Sequence, residues 1–440
     1  MNLVRNAAAA ACFVIPLCSA PRPVTWRQDV APVIASRCQS CHKPGEIGPM
    51  PLTTYQEARP WAKAIRQAVL KGTMPPWHAD AATTPHFRNA RVLTPGEREI
   101  LVAWAGTGAA EGSPAAPPKA AGDAGPKGWQ LGRPDFVIRV PGFRVPESGA
   151  IQYTFLVTPT GFTGDKWIAA AEWKIDQRRV VHHINAFVRP PGSSYVAAAP
   201  PGTPYVASTT ERAARRAGER EVDRRELLAG YEPGYRPAPW GDGEAKLIRK
   251  GSDIVFEMHY TANGKEAVDY SELGLYFAKE PPRQRVLTIS PADSQLVIPP
   301  GDGNYRSFAA ATFKQPVRLV SLQPHMHLRG KAYLFEAVFP GGRRETLLNV
   351  PRYDFNWQTT YFLKDPLELP PGTRLECTAW FDNSANNRFN PDPAREVRWG
   401  DQSWEEMNIG FTEVSFDARL DPDIAVLSGS TLPGSNQKKP

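Results

Sequence analysis

The sequence predicts a multidomain protein: a small all-α domain followed by two antiparallel β-sandwiches. Three observations carry this expectation. Between residues 24 and 110, apolar side chains recur at steps of three and four, the spacing of one helix face. From about residue 133 onward they recur at every second position, as on strands with one buried face. The chain also holds 45 prolines and 35 glycines among 440 residues, a density of turn formers that disfavours a helical bundle or solenoid.

The first 20 residues read as an export signal. Arg5 supplies the positive start, Ala7 to Leu17 an apolar run, and Cys18-Ser19-Ala20 the small residues of a cleavage site. The run is too short to span a bilayer, which takes about 20 apolar residues. The expected location is therefore the periplasm or the outside of the cell, with no integral membrane span.

Within 24–110, Thr54 and Glu57 have the spacing of a capping box. Ala58, Trp61, Ala62, Ile65 and Val69 then mark one helix face. Thr94 and Glu97 repeat the box, with Pro95 at the first helical position, Ile100, Leu101 and Trp104 on the apolar face, and Gly106 as a stop. Residues 111–128 are rich in Ala, Pro and Gly and read as a linker.

Phe136, Ile138 and Val140 alternate, as do Tyr153, Phe155 and Val157. Pro299-Pro300-Gly301, Pro340-Gly341-Gly342 and Pro370-Pro371-Gly372 supply turns between later strands. The β region is too long for one sandwich, so two are expected, 129–290 and 291–430, dividing near 285–295. Residues 209–228 carry six arginines and five acids and read as a solvated helix on a long loop.

Composition excludes some functions. The net charge of +7 is a small excess, and no basic block is interleaved with aromatics, so nucleic acid is not an expected partner. No Gly-x-Ser-x-Gly elbow or carboxylate-bearing metal motif is found, which disfavours a hydrolase. Of five cysteines, Cys12 and Cys18 fall in the signal, Cys38 and Cys41 form one motif, and Cys377 stands alone in an apolar alternating stretch as a buried thiol. The mature chain is disulfide-poor.

Cys38-Gln39-Ser40-Cys41-His42 is C-x-x-C-H, the attachment pattern of a c-type haem. The two thiols add to the vinyl groups and the histidine becomes an axial ligand. A zinc half-site would need a second ligand pair nearby, and none follows. A soft sixth ligand is needed on the opposite side. Met74 is the leading candidate because it follows the amphipathic helix directly, and Met50 is the competitor. Residues 24–110 thus resemble a cytochrome c domain.

His78 and His86 read as ordinary hydrogen-bonding residues. The other five of the eight histidines form two tight pairs and a singlet: His182-His183, His259 and His325-x-His327. Two residues apart on a strand, His325 and His327 face the same side and can hold one ion, with Met326 on the other face. The adjacent His182 and His183 would face opposite sides of a regular strand. They can share a metal only at a distorted strand end or through different ring nitrogens. Imidazole-rich sites with an added thioether suit copper, and Met407 is the candidate thioether.

His-His, a lone His, His-x-His and a late Met, in that order over residues 130–425, resemble the copper type II, ascorbate-dependent monooxygenases. Peptidylglycine hydroxylating monooxygenase and dopamine beta-monooxygenase are members. The resemblance implies two jelly-roll sandwiches with one copper in each. His182, His183 and His259 would hold the electron-supplying copper, and His325, His327 and Met407 the copper that binds O2. It also implies hydroxylation of a small-molecule C–H bond with O2. Where the peptide-hydroxylating members clamp a carboxylate with Arg, Asn and Tyr, this chain has Gln323, Ile409 and Phe411, so a C-terminal glycine peptide is not the expected substrate and a less polar molecule is. The tethered haem is expected to pass electrons from an external donor, an ascorbate-like reductant or a redox protein, to the coppers. The rival readings are a multi-metal electron-transfer or copper-binding protein without oxygenase activity, and a structural sandwich whose histidines bind zinc.

Overall fold

The computed structural model describes residues 22–113, 128–208, 227–235 and 237–421, and the backbone of strand Val426–Gly429. The expected export signal, nearly all of the 111–128 linker and most of the charged stretch 209–228 lie outside the described residues. The last two residues of that stretch, Leu227 and Leu228, open a strand rather than extend a helix.

Both capping boxes form. Thr54 Oγ1 accepts from the Glu57 N–H and Thr94 Oγ1 from the Glu97 N–H, while each glutamate side chain accepts from the backbone of its threonine. The helix after Thr54 is not continuous. Tyr55–Ala58 passes through a 3-10 turn at Arg59–Trp61 before Ala62–Lys71 resumes. Pro60 has no N–H to give the helix ladder, so the turn tightens there. That rotates Trp61 outward, 44% exposed, whereas the periodicity places it on the buried face. Ala58, Ala62, Ile65 and Val69 are buried as expected, against Trp26, Ile34, Leu101 and Trp104.

An all-α cytochrome c domain is not what these residues build. Strand makes up 37% of the structure and helix 12%. The helices Ala31–Arg37, Tyr55–Ala58, Ala62–Lys71 and Pro95–Gly106 are short and separated by turns and irregular chain. The segment between the last two leaves the helices altogether. Phe87 forms a β-bridge with Leu363, Asp80 N–H donates to the Asn349 carbonyl, and Trp77, Ala79 and Phe87 enter the core of the β region. Helical periodicity reports one buried face, not which neighbour covers it.

The β region is sandwich-like but is not two independent sandwiches. One eight-stranded sheet runs through both halves in the order Phe136–Arg139, Glu272–Phe277, Lys166–Lys174, Glu244–Ile248, Gln284–Ile289, Ile409–Asp417, Val317–His325, Tyr361–Leu369. The seam is the parallel pairing of Gln284–Ile289 with Glu244–Ile248, in a sheet that is otherwise antiparallel. The first half adds a four-stranded sheet of Thr154–Pro159, Asp253–Tyr260, Val181–Arg189 and Leu227–Tyr231. The second adds a five-stranded sheet in the order Arg344–Val350, Gly330–Val338, Arg374–Phe381, Tyr305–Phe313, Val426–Gly429.

The division expected near 285–295 therefore falls on a strand that joins the halves. The cores agree with this. One side of the four-stranded sheet packs in the first core through Leu156, Ile184 and Phe256. Its other side, through Phe155, Phe187 and Val255, packs in the core of the second half. Cys377 is buried beneath Tyr333, and burial pushes its thiol pKa up.

Candidate metal centre

His182 and His183 come from strand Val181–Arg189 and His259 from its neighbour Asp253–Tyr260. Val181 pairs with Tyr260 and His183 with His259, so the register slips by one residue at His182. That β-bulge lets adjacent histidines converge instead of facing opposite sides of the sheet. His183 Nδ1 lies 3.2 Å from His182 Nδ1 and 3.4 Å from His259 Nδ1. Two nitrogens each about 2.0 Å from one ion, at tetrahedral or trigonal angles, would sit about 3.3–3.5 Å apart, the separation seen here. The Nε2 atoms of His182 and His183 are buried without a hydrogen-bond partner.

Burial dominates the electrostatics. It pushes the His182 imidazole down to about 4, partly offset by the Asn356 amide, which still makes no ordinary hydrogen bond to the buried Nε2. Burial, and then the neighbouring imidazoles, hold His183 and His259 well below the usual histidine range. All three are neutral at neutral pH, the form that ligates metal.

His325 is the last residue of strand Val317–His325, and His327 follows just beyond. Met326 is fully buried on the opposite side, in the second core. His325 Nδ1–H donates to Gln358 Oε1 at 2.6 Å, and His327 Nδ1–H to the Glu405 carbonyl at 3.2 Å. With Nδ1 as donor, the lone pair sits on Nε2. His327 Nε2 is buried without a hydrogen-bond partner, and burial pushes this imidazole down to about 4. The first set thus converges through Nδ1, and the second is set up to ligate through Nε2.

Met407 is buried on the chain entering strand Ile409–Asp417. His325 pairs with Ile409, two residues after Met407. Glu406 fastens the two segments. Its carboxylate accepts from the backbone N–H groups of His327 (2.8 Å), Arg329 (2.6 Å) and Met407 (3.3 Å). Burial raises its pKa to about 8 despite those donors.

The two sets adjoin. The His183 and His325 ring centroids are 6.4 Å apart. Tyr153 stacks on His259 at 4.4 Å and reaches His327 at 6.2 Å. Phe355 stacks on His182 at 5.3 Å and meets His259 and His327 at 5.8 and 6.1 Å. These two aromatic rings border the cluster, Tyr153 from just before strand Thr154–Pro159 and Phe355 from a turn. The sequence does not single them out, because nothing in the local pattern of either residue marks it. The site is not two nests held apart, one within each sandwich.

Gln323, Ile409 and Phe411 surround the His325 end. Phe411 meets the His325 ring at 5.7 Å, and Gln323 Nε2 donates to the Gln358 carbonyl. Gln323 and Phe411 also line a cavity of about 80 Å³ together with Glu232, Lys246 and Glu413.

A second feature lies in the N-terminal segment. Cys38, Cys41, His42, Met50 and Met74 all line one cavity of about 310 Å³ with mostly apolar walls. His42 Nδ1–H donates to the Met50 carbonyl at 3.0 Å, which fixes the tautomer with its lone pair on Nε2. The Met50 backbone thus lies on the Nδ1 side of the His42 ring, while the Met50 and Met74 side chains both belong to the cavity lining. Cys38 and Cys41 form no disulfide, and burial pushes the Cys38 thiol up to about 12. A redox dithiol would need a lowered thiol pKa. His86 is exposed, while burial lowers the His78 pKa.

No helix among the described residues is long and apolar enough to cross a membrane. No family model matches the chain, and no curated protein matches it. Among solved structures, the chain shows a similarity to infectious bursal disease virus of the Gx strain (8% identity, 66% of this chain, 74% of that chain, TM-score 0.19). The Gt strain is similar at 11% identity, 68% of this chain, 78% of that chain and a TM-score of 0.18; at such scores neither likeness carries an argument.

Proposed function

We propose that this chain is an exported copper-dependent monooxygenase that hydroxylates a C–H bond of a small, weakly polar molecule with O2. The reading rests on one observation above all: five imidazoles meet at one place, and His182, His183 and His259 bring their donor nitrogens within 4.8 Å of one another. His327 Nε2, the lone-pair nitrogen of its ring, is buried without a hydrogen-bond partner; leaving it so costs about 1–3 kcal/mol, which a bound ion would relieve. His182, His183 and His259 would hold one copper, and His325, His327 and Met407 a second. Cys38, Cys41 and His42, with Met74 opposite, would hold a covalently attached haem. When bound, the coppers supply one-electron chemistry and O2 activation, and the haem supplies electrons taken from an external donor.

The chain's own residues prepare the site. Gln358 and the Glu405 carbonyl fix the His325 and His327 tautomers and aim their Nε2 atoms. Glu406 pins the His327 backbone to the Met407 segment. Tyr153 and Phe355 keep water from the cluster. Gln323, Ile409 and Phe411 present no cation beside His325, and Lys246 in the adjoining cavity is already paired with Glu413 at 2.6 Å.

Oxygen uptake by copper-loaded, haem-bearing protein against a panel of small aromatic and aliphatic compounds tests the reading. Uptake coupled to a hydroxylated product is expected. Purified protein that carries zinc, without a copper electron-spin signal, would contradict it. One observation favours a second reading, a multi-metal electron-transfer or copper-binding protein: the two donor sets touch, which would let neighbouring ions exchange electrons. That reading predicts copper and haem with no oxygen uptake on any compound in the panel.

A further inference from the structure

One short turn touches both the thiol-lined cavity and the histidine cluster. Asp354 shapes it, with its carboxylate accepting from the Asn356 N–H and side-chain amide at 2.9 Å and its carbonyl from the Trp357 N–H at 2.9 Å. From this turn Trp357 lines the same 310 Å³ cavity as Cys38, Cys41 and Met74. The next residue, Gln358, accepts the His325 Nδ1 proton at 2.6 Å. Two residues before Trp357, Phe355 lies against His182, His259 and His327.

The cavity-bearing segment clamps the turn on both flanks. Before it, Asn349 Nδ2 donates to Asp80 at 2.8 Å. After it, Asn89 bonds the Thr360 carbonyl at 2.7 Å and the Phe362 N–H at 3.1 Å. Arg178 with Glu46, at 3.4 Å, adds a tie to the first half.

Resting on the haem and copper reading above, we propose that the turn Asp354–Gln358 is the electron bridge of the molecule, with Trp357 as its cavity-side terminus and Gln358 as its exit onto His325. The path is the Trp357 side chain, one peptide unit, the Gln358 side chain and one hydrogen bond. The transfer moves one electron and no atoms: ferrous haem is oxidised as Cu(II) is reduced, and an external one-electron reductant restores the haem. Trp357 is a positioning residue, since it ligates nothing.

The test follows the ferrous haem absorption in full-length, haem-bearing, Cu(II)-loaded protein, without O2 or substrate. The wild type is expected to lose the ferrous band at a rate independent of protein concentration. Trp357→Leu keeps an apolar side chain but removes the indole, opening a gap against the cavity contents, and is expected to slow that rate about tenfold or more. Trp357→Phe is expected to restore most of it. Haem and copper content should be unchanged in both variants, and the haem midpoint potential in copper-free protein is measured beside the rate, so that a changed driving force is told apart from a broken path.

A Trp357→Leu rate equal to wild type, with haem and copper intact, overturns the bridge. So does a wild-type rate that scales with protein concentration, because the electron then passes between molecules. Wild-type protein that binds no haem or no copper overturns the function proposed above instead, and is told apart by metal and haem content alone.

Discussion

Gln358 shows how much one amide can decide. It accepts the His325 Nδ1 proton, and second-layer partners of ligating histidines typically matter roughly 10- to 100-fold in metal affinity. Gln358→Leu is expected to weaken the second copper by that factor while the first, held by His182, His183 and His259, is unchanged. Stepwise copper titration followed by electron-spin signal reads both sites. Glu232 is a different case. It is buried beside Arg91, and burial raises its pKa to about 7 from the ordinary 4.5. The folded state thus holds this proton more tightly than the unfolded chain. The stability it contributes is full below about pH 4.5 and is lost as pH rises through about 7. Glu232→Gln should leave thermal stability unchanged at pH 4 and raise it above pH 7, by up to about 3 kcal/mol. A variant with the same pH profile as wild type would show that Glu232 stays charged. All ligand candidates were legible as residue types at telling spacings. The bulge at His182 was not, because it exists only relative to the partner strand carrying His259.

At the scale of elements, the turn Cys38–Gly48 is held from within. Gly48 N–H donates to the Cys41 carbonyl at 2.9 Å. A Cβ on Gly48 would stand 2.5 Å from that oxygen and 2.8 Å from His42 Nδ1. Gly48→Ala must therefore push His42 off the Met50 carbonyl or open the turn. Haem attachment, read from the pyridine haemochrome spectrum of purified protein, should fall severalfold in Gly48→Ala; full attachment would mean the turn gives way elsewhere. Capping residues and turn signals made most elements readable in advance. The three- and four-residue spacing of Ala58, Trp61, Ala62, Ile65 and Val69 does not register Pro60, so it conceals the break at Arg59–Trp61 and the exposed Trp61. The turn Asp354–Gln358 has no periodicity, and its role comes wholly from long-range neighbours.

At the scale of the whole molecule, the shared sheet is the feature that local pattern conceals. Period-two alternation says that a strand has a buried face, not which strand lies beside it. Gln284–Ile289 looks like a boundary in sequence and is a seam in space. The Trp77–Phe87 segment binds the helical part to the same core. Such continuity predicts that the two β halves unfold together. Calorimetry of full-length metal-free protein should give one β transition, and residues 291–440 alone should fail to fold; two separated transitions would restore independent sandwiches.

The central claim is that the five imidazoles divide into two copper sites that touch but remain distinct. Copper and zinc content of purified full-length protein, compared with His183→Ala and His327→Ala, tests it most directly. Two coppers per chain in the wild type and one in each variant are predicted. Zinc in place of copper, or a single ion that both variants lose, would contradict it.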